Sequence, residues 1–242
     1  MFGSEAELAI NVPDGNNTNL KYVGGYEHGF DVIITDSSND RNFRLIVDNQ
    51  LIGELDTLTL QSAGKITIQS NEYLYQAYTN TNPFATAYKE IEFSDNGIFV
   101  SNKVTMLRNM DFNGAQFGMM CLWRRYQGNT SNPYLINKAI ANDAPFHIYD
   151  VDDDWKESGI RGIIGTTTYD RTKITEYGEL GIGFALRVVE SNIKPNGGMN
   201  VWHNGGGFDK IYFDLTGSYA AQQNDVLYAK VEWEIYGNPI AV

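Results

Sequence analysis

The fold class is decided by residues 88–106, which have the sequence YKEIEFSDNGIFVSNKVTM. In this stretch Asn96-Gly97 lies between two runs in which apolar and polar residues alternate. An Asn-Gly pair between alternating runs is the strongest short-range signal for a β-hairpin. Residues 88–93 and 98–106 are therefore predicted to be neighbouring antiparallel strands joined by a tight turn.

The same pattern extends in both directions from this hairpin. Short runs of β-branched and aromatic residues are separated by Gly, Asn, Asp and Ser, and they predict about a dozen strands with almost no helix. A second hairpin is predicted at Ser62-Ala63-Gly64, between residues 57–61 and 65–69, and residues 73–78 are predicted to form a separate strand. The regular spacing predicts an all-β fold, an antiparallel β-sandwich of the jelly-roll type with a smaller N-terminal β region.

The charge balance excludes several classes of partner. The 242 residues include 30 Asp and Glu against 18 Lys and Arg, which gives a net charge of −12. A nucleic-acid-binding protein needs a surplus of Lys and Arg, so we expect no nucleic-acid partner.

No apolar run approaches the roughly 18–20 residues that span a bilayer, and the start of the sequence lacks a signal-peptide pattern, so we expect no membrane insertion. The single cysteine, Cys121, excludes an intramolecular disulfide and a cysteine-based zinc site.

The negative charge is concentrated at one end of the sequence. Residues 1–95 have 14 acidic and 5 basic side chains, whereas residues 96–242 have 16 acidic and 13 basic ones. We predict a small acidic β region over residues 1–95 and a jelly-roll sandwich over residues 96–242. The alternative is that the boundary is a hairpin within one sheet, because Asn96-Gly97 is too short to be a flexible linker.

The best candidate for ligand contact is the segment Trp202-His203-Asn204-Gly205-Gly206-Gly207-Phe208-Asp209. An indole ring stacks on the C–H face of a sugar, and neighbouring polar side chains can bond its hydroxyl groups. We therefore predict that Trp202, His203, Asn204 and Asp209 bind a ligand. The alternative is that the three glycines only allow the chain to turn.

The acidic segment after residue 149 is a candidate cation site. Asp150, Asp152 and Asp154 offer clustered carboxylate oxygens of the kind that calcium prefers, so calcium is the one cofactor that the sequence suggests. The segment lacks the glycine and the distal glutamate of the twelve-residue calcium loop. The alternative is a solvated acidic turn with no metal.

Two adjacent arginines follow an apolar run. If the strand that ends at Trp123 is regular, one of Arg124 and Arg125 points inward and the other outward. An inward arginine would need a carboxylate or a ligand to offset its burial. The alternative is that both arginines face solvent at the strand end.

The second half of the sequence resembles the concanavalin-like jelly rolls. The resemblance rests on Trp123-Arg124-Arg125, on residues 181–186 and 210–213, and on the closing strand at residues 231–235. One branch of that group contains β-sandwich modules of phage tail and virion proteins. For this branch the resemblance implies binding of host glycans or assembly of the particle.

A second branch, the polysaccharide lyases of the alginate lyase type, shows a similar order of residues. Arg124 or Arg125 is followed by His147 and then by Tyr212 and Tyr219. The resemblance implies that these residues would be catalytic in a lyase acting on uronate-containing glycans. However, Asp214 stands where the lyases have a basic residue, and a carboxylate there would repel an anionic substrate.

These observations favour a protein without catalytic residues that presents a surface. We predict a virion or phage structural protein, located in the virion or outside the cell, which binds a glycan or other virion subunits and forms a homo-oligomer. The alternative is the polysaccharide lyase, and a third interpretation is a purely structural subunit.

Overall fold

The protein was analysed as a computed structural model, which describes residues 9–13, 20–24, 31–33, 43–52, 62–75, 82–142, 148–151, 172–193, 197–204 and 207–237. These residues form sixteen β-strands and one turn of 3₁₀ helix, Tyr126–Gly128. In chain order the strands are β1 (Ala9–Pro13), β2 (Leu20–Gly24), β3 (Asp31–Ile33), β4 (Phe43–Val47), β5 (Gln50–Ile52), β6 (Lys65–Leu74), β7 (Ala85–Ser94), β8 (Gly97–Met106), β9 (Met110–Trp123), β10 (Lys138–Ala141), β11 (Tyr149–Asp150), β12 (Lys173–Tyr177), β13 (Ile182–Ser191), β14 (Gly197–Asn204), β15 (Phe208–Ala221) and β16 (Val226–Gly237). No helix in this part of the chain is long and apolar enough to cross a membrane.

The strands form two antiparallel sheets. The smaller sheet has five strands in the order β14-β15-β9-β1-β2. The larger sheet has the order β11-β10-β12-β13-β16-β8-β7-β6-β4-β5, and β3 also pairs with β6. Strand β9 of the smaller sheet contacts β8 and β16 of the larger one, and one apolar core contains side chains from both sheets. The structure therefore confirms the predicted all-β sandwich.

The hairpin at Asn96-Gly97 forms as predicted. Strands β7 and β8 pair in register from Ser94 opposite Gly97 to Ala85 opposite Met106, so Asp95 and Asn96 form the turn. Gly97 has a φ of 131°, a value that side-chain-bearing residues rarely adopt. A glycine at the end of this turn thus allows two ten-residue strands to pair along their whole length.

Two other local predictions are wrong. Residues 66–70 pair with β4 on one edge and with β7 on the other, so they cannot also pair with residues 57–61 in the predicted hairpin. A strand has only two hydrogen-bonding edges, and both are occupied. Residues 57–61 themselves lie outside the described residues. Strand β6 also continues without interruption to Leu74, so the strand predicted to begin at residue 73 is the end of β6.

The two sheets approach closely at Gly118 on β9. The ladder between β9 and β15 has a bulge here, and Gly118 has a φ of +63°. Its N–H donates to Asn102 Oδ1 (2.9 Å), and its carbonyl accepts from the indole of Trp233 (3.1 Å), both across the core. A Cβ atom at this position would overlap the side chain of Val231 on β16. The glycine therefore lets the backbone of one sheet bond to the other.

The division into residues 1–95 and 96–242 stays a prediction. The boundary falls in the turn between β7 and β8, within the larger sheet. Strand β1 pairs with β9 in the smaller sheet. Both parts of the chain thus contribute strands to both sheets.

Candidate functional site

A buried arginine stands where β9 ends. Arg124 is only 4% exposed, whereas Arg125 is half-buried and its guanidinium lies 3.7 Å from the centre of the Tyr134 ring. This agrees with the expectation that one arginine of the pair points inward. The Arg124 backbone is held on both sides, because its N–H donates to Gly207 O (3.0 Å) and its carbonyl accepts from the N–H groups of Leu135 and Ile136 (2.7 and 3.1 Å).

Two buried carboxyl groups accompany this arginine. Asp209, on β15, is fully buried, and its Oδ1 lies 3.9 Å from Nε of Arg124. Glu176, on β12 of the larger sheet, is also fully buried and interacts electrostatically with both residues. We call Arg124, Glu176 and Asp209 the inner charge cluster. It joins the end of β9 and the start of β15 to a strand of the opposite sheet.

The environment of Glu176 favours its neutral form. Burial raises the pKa of its carboxyl group well above the ordinary value of 4.5, and the negative charge of Asp209 raises that pKa further. The positive charge of Arg124 lowers the pKa of Glu176, but by less than burial and Asp209 raise it. Among the residues that the structure describes, neither carboxyl oxygen of Glu176 has a hydrogen-bond partner. The cluster therefore contains one cation, one carboxylate and one carboxyl group that favours retaining its proton.

Gly178 allows a connecting segment to enclose the cluster. A Cβ atom on Gly178 would lie only 2.5 Å from the carbonyl oxygen of Leu135, so only glycine fits at this contact. Close by, Asn137 N–H donates to Tyr177 O (2.9 Å), and Glu179 N–H donates to Tyr134 O (3.0 Å). These bonds fix residues 134–137 against the end of β12. Because Leu135 and Ile136 also bond to Arg124, the segment ties Arg124 to the strand that carries Glu176.

Exposed aromatic rings lie at the same end of the smaller sheet. Trp123 is 42% exposed and Tyr126 is 50% exposed. The Phe208 ring meets the Trp123 ring edge-on, with the ring centres 6.0 Å apart and an interplanar angle of 85°. A Cβ atom on Gly128 would lie 3.1 Å from the Trp123 indole, so the turn packs against this ring. We call Trp123, Tyr126 and Phe208 the aromatic end.

The predicted ligand segment is adjacent to the aromatic end. In the smaller sheet Phe208 pairs with Trp123 on one side and with Asn204 on the other. His203 pairs with Asp209, and Trp202 pairs with Lys210. Strand β15 begins at Phe208, directly after the glycines. The backbone thus places the hairpin of β14 and β15 next to Trp123, and ligand contact by Trp202, His203, Asn204 and Asp209 stays a prediction.

The residues named for the lyase alternative do not all come together. Tyr219 packs against Phe112, with ring centres 5.0 Å apart, ten residues along β15 from Asp209. At about 3.3 Å per strand residue it lies roughly 33 Å from Asp209. Tyr212 pairs with Asn200 nearer the cluster, and His147 lies outside the described residues.

The calcium prediction is only partly covered by the structure. Asp150 is exposed at the end of β11 and forms an ion pair with Lys138. Asp152 and Asp154 lie outside the described residues. Within the described ranges, no three His, Cys, Asp or Glu side chains are placed to hold a metal ion. Calcium binding therefore stays a prediction.

Glu176 is the residue that sequence reasoning missed, because no strand was predicted over Lys173–Tyr177. Ile174 and Glu176 are two residues apart, so on a strand they share one face. Ile174 is buried, and a glutamate on the same face was the available signal. That signal is weak, because it requires the strand to be recognised first.

The comparisons with known proteins support the fold. No protein-family model and no curated protein sequence matches the chain. A solved structure of the galactosidase domain of the α-galactosidase–sucrose kinase AgaSK is similar with a TM-score of 0.50 and 8% identity, covering 95% of this chain and 30% of that one. The chain thus spans about a third or less of the length of this enzyme.

Two further solved structures have lower scores. The α-N-acetylgalactosaminidase NagBb from Bifidobacterium bifidum, in complex with GalNAc, has a TM-score of 0.44 and 11% identity, covering 98% of this chain and 36% of that one. A galactose mutarotase-like protein from Lactobacillus casei has a TM-score of 0.40 and 12% identity, covering 94% of this chain and 100% of that one. The likeness to the AgaSK galactosidase domain supports the all-β fold alone, and none of these three structures supports the resemblance to phage and virion proteins.

Proposed function

We propose that this chain is a carbohydrate-binding β-sandwich protein and that it binds neutral sugar rings at the aromatic end. The observation that carries the proposal is the Trp123 indole. Its side chain is 42% exposed, on the face of the strand opposite to that of its buried neighbours Leu122 and Arg124. An exposed indole held by packing on its other side loses little conformational entropy when a sugar stacks on it.

The surroundings of Trp123 favour such a ligand. Tyr126 adds a second exposed ring with a hydroxyl group, and the hairpin of β14 and β15 brings Asn204 alongside in the sheet register. Stacking surfaces combined with a few directional polar groups are typical of small-ligand sites. The net charge of −12 disfavours anionic ligands.

The similarity of fold to a galactosidase domain makes galactose-containing glycans the first ligands to test. That enzyme's activity is not transferred to this chain, because a fold hosts many functions. The binding is proposed for the aromatic end alone, on the residues named above.

We propose glycan display by a homo-oligomer as the context of binding, and a virion is the environment that the sequence predicts. Light scattering of the purified protein tests the oligomer, and a monomer at micromolar concentration contradicts it. The lyase alternative gains no support from Arg124, which is enclosed with Asp209, or from Arg125, which packs over Tyr134.

The decisive experiment is titration of neutral glycans with terminal galactose or N-acetylgalactosamine, followed by calorimetry and by tryptophan fluorescence. We expect Trp123→Ala to weaken binding about two- to twelvefold, since one stacked ring contributes about 0.5–1.5 kcal/mol. Phe93→Ala is the matched control, because Phe93 is also an exposed aromatic residue but lies in the β7–β8 hairpin. Equal affinity of both variants would refute the assignment to the aromatic end.

A separate assay distinguishes binding from cleavage. Incubation with uronate polysaccharides, followed by the absorbance of the unsaturated product, detects a lyase directly. We expect no product. A signal that Arg124→Lys abolishes would replace the binding proposal by the lyase.

A further inference from the structure

We infer that Glu176 retains its proton at neutral pH and that the inner charge cluster is a proton-dependent tie between the two sheets. The inference concerns the interior of the sandwich, and it does not depend on any glycan. It rests on the enclosure of Glu176, on the charges around it and on the strands that these residues connect.

The first step is the enclosure of Glu176. Its side chain is fully buried, and its two neighbours across the sheet are Ala139 on β10 and Phe184 on β13. Neither neighbour can donate a side-chain hydrogen bond or supply a charge. An ionised carboxylate in such a place loses its hydration without compensation, which is among the most costly forms of burial.

The second step is the balance of charge. The charged groups that act on Glu176 are Asp209 on β15 and Arg124 at the end of β9. Arg124 and Asp209 form an ion pair of net charge zero, with Nε and Oδ1 3.9 Å apart. If Glu176 were ionised, the cluster would therefore contain two buried carboxylates and only one guanidinium. Two carboxyl groups that share one site hold one proton between them more tightly than either does alone.

The third step is the position of the cluster. Glu176 belongs to the larger sheet, whereas Asp209 belongs to the smaller one. As a neutral acid, Glu176 adds no charge to the ion pair of Arg124 and Asp209. If Glu176 ionises, the negative charge of Asp209 repels it. Loss of the proton thus weakens the packing of β12 against the β9–β15 pair at this end of the sandwich.

The direction of the pKa shift agrees with this arrangement and gives the sign of its effect on stability. The pKa of Glu176 is raised in the folded protein, so its contribution to stability is fully present below its unfolded value, near 4.5. That contribution is lost as the pH rises from there through the raised folded value. The free energy of unfolding therefore decreases with rising pH because of this group.

Infrared spectroscopy of the whole protein tests the proton directly. With glutamate isotopically labelled at its side-chain carboxyl carbon, we expect a protonated-carboxyl band at pH 7 that Glu176→Gln removes. Asp209→Asn should shift the loss of this band to lower pH, because it removes the neighbouring negative charge. The absence of a protonated glutamate band in the unmutated protein at pH 7 would overturn the inference.

Thermal unfolding between pH 5 and pH 8 tests the consequence. Relative to Glu176→Gln, the unmutated protein should lose about 3–5 °C in Tm for each unit by which the pKa of Glu176 is raised. The matched control is Glu190→Gln, the same substitution at an exposed position on β13, which should follow the unmutated protein. If Glu176→Gln keeps the full pH dependence of the unmutated protein, the tie is not proton-dependent.

Discussion

Strand β12 has charged residues on both of its faces, and the charged groups are partly exposed on one face and buried on the other. On the outer face Lys173 pairs with Glu234 (2.5 Å), and Arg187 contacts both Glu232 and Glu234. We call these four residues the outer ion network. On the inner face, three residues further along the same strand, Glu176 belongs to the inner charge cluster.

The two groups of charged residues differ in their exposure to solvent. Arg187 is 45% exposed in the outer ion network, so water and salt screen its attraction to the two glutamates. In the inner charge cluster all three side chains are enclosed, and each unbalanced charge is felt almost without screening. Ion pairs of the same chemical type are therefore expected to contribute little to stability on the outer face, whereas losing one partner on the inner face is costly.

The largest effect is expected from removing the inner cation. Arg124→Met leaves Asp209 buried beside Glu176 without a positive charge, and breaking a buried pair in this way costs about 3–5 kcal/mol. Urea denaturation at pH 7 measures the loss. The double variant Arg124→Met with Asp209→Asn should recover part of it, since no carboxylate then lacks a counter-charge. A loss below about 1 kcal/mol would mean that water enters the cluster and that the contrast between the faces is false.

A smaller effect is expected from loosening the segment that encloses the cluster. Gly178→Ala places a methyl group 2.5 Å from Leu135 O, which is backbone and cannot rotate away. Strain of this kind costs about 1–3 kcal/mol. Hydrogen exchange should accelerate at the N–H groups of Leu135 and Ile136, which bond to Arg124. The matched control is Gly237→Ala, because nothing lies within 4 Å of a Cβ atom there. Equal stability of the two variants would contradict the assigned contact.

The smallest effect is expected on the outer face. Arg187→Gln removes the contacts with Glu232 and Glu234, and exposed pairs contribute less than about 1 kcal/mol each. The loss should shrink further as the salt concentration rises from 0.05 to about 1 M. Urea denaturation at both salt concentrations checks this. A loss as large as that of Arg124→Met would show that exposure does not separate the two clusters.

Local signals predicted the parts of the fold that depend on neighbouring residues. The β7–β8 hairpin follows from Asn96-Gly97 between alternating runs. Predictions that depended on distant partners were less successful. The hairpin at Ser62-Ala63-Gly64 is wrong because β4, from earlier in the chain, occupies the edge of β6 that it needed.

In the candidate site, too, the features that depend on neighbouring residues could be predicted, whereas those that depend on distant partners could not. Alternation along β9 predicted that, if the strand is regular, one arginine points inward and needs a carboxylate or a ligand as its partner. It could not identify the partner, because Asp209 lies 85 residues further along the sequence than Arg124. Nor could it find Glu176, whose strand was not recognised and whose burial comes from packing against the opposite sheet.

The antiparallel strands of this protein could be predicted from the sequence, because side-chain alternation and turn residues act between neighbours along the chain. The net charge of −12 can also be read from the sequence, and from it we expect no polyanionic partner. Which charged side chains lose their water could be read only from the packed sheets. Burial depends on which strands face each other across the core, and residues from β9, β12 and β15 meet only when the two sheets pack.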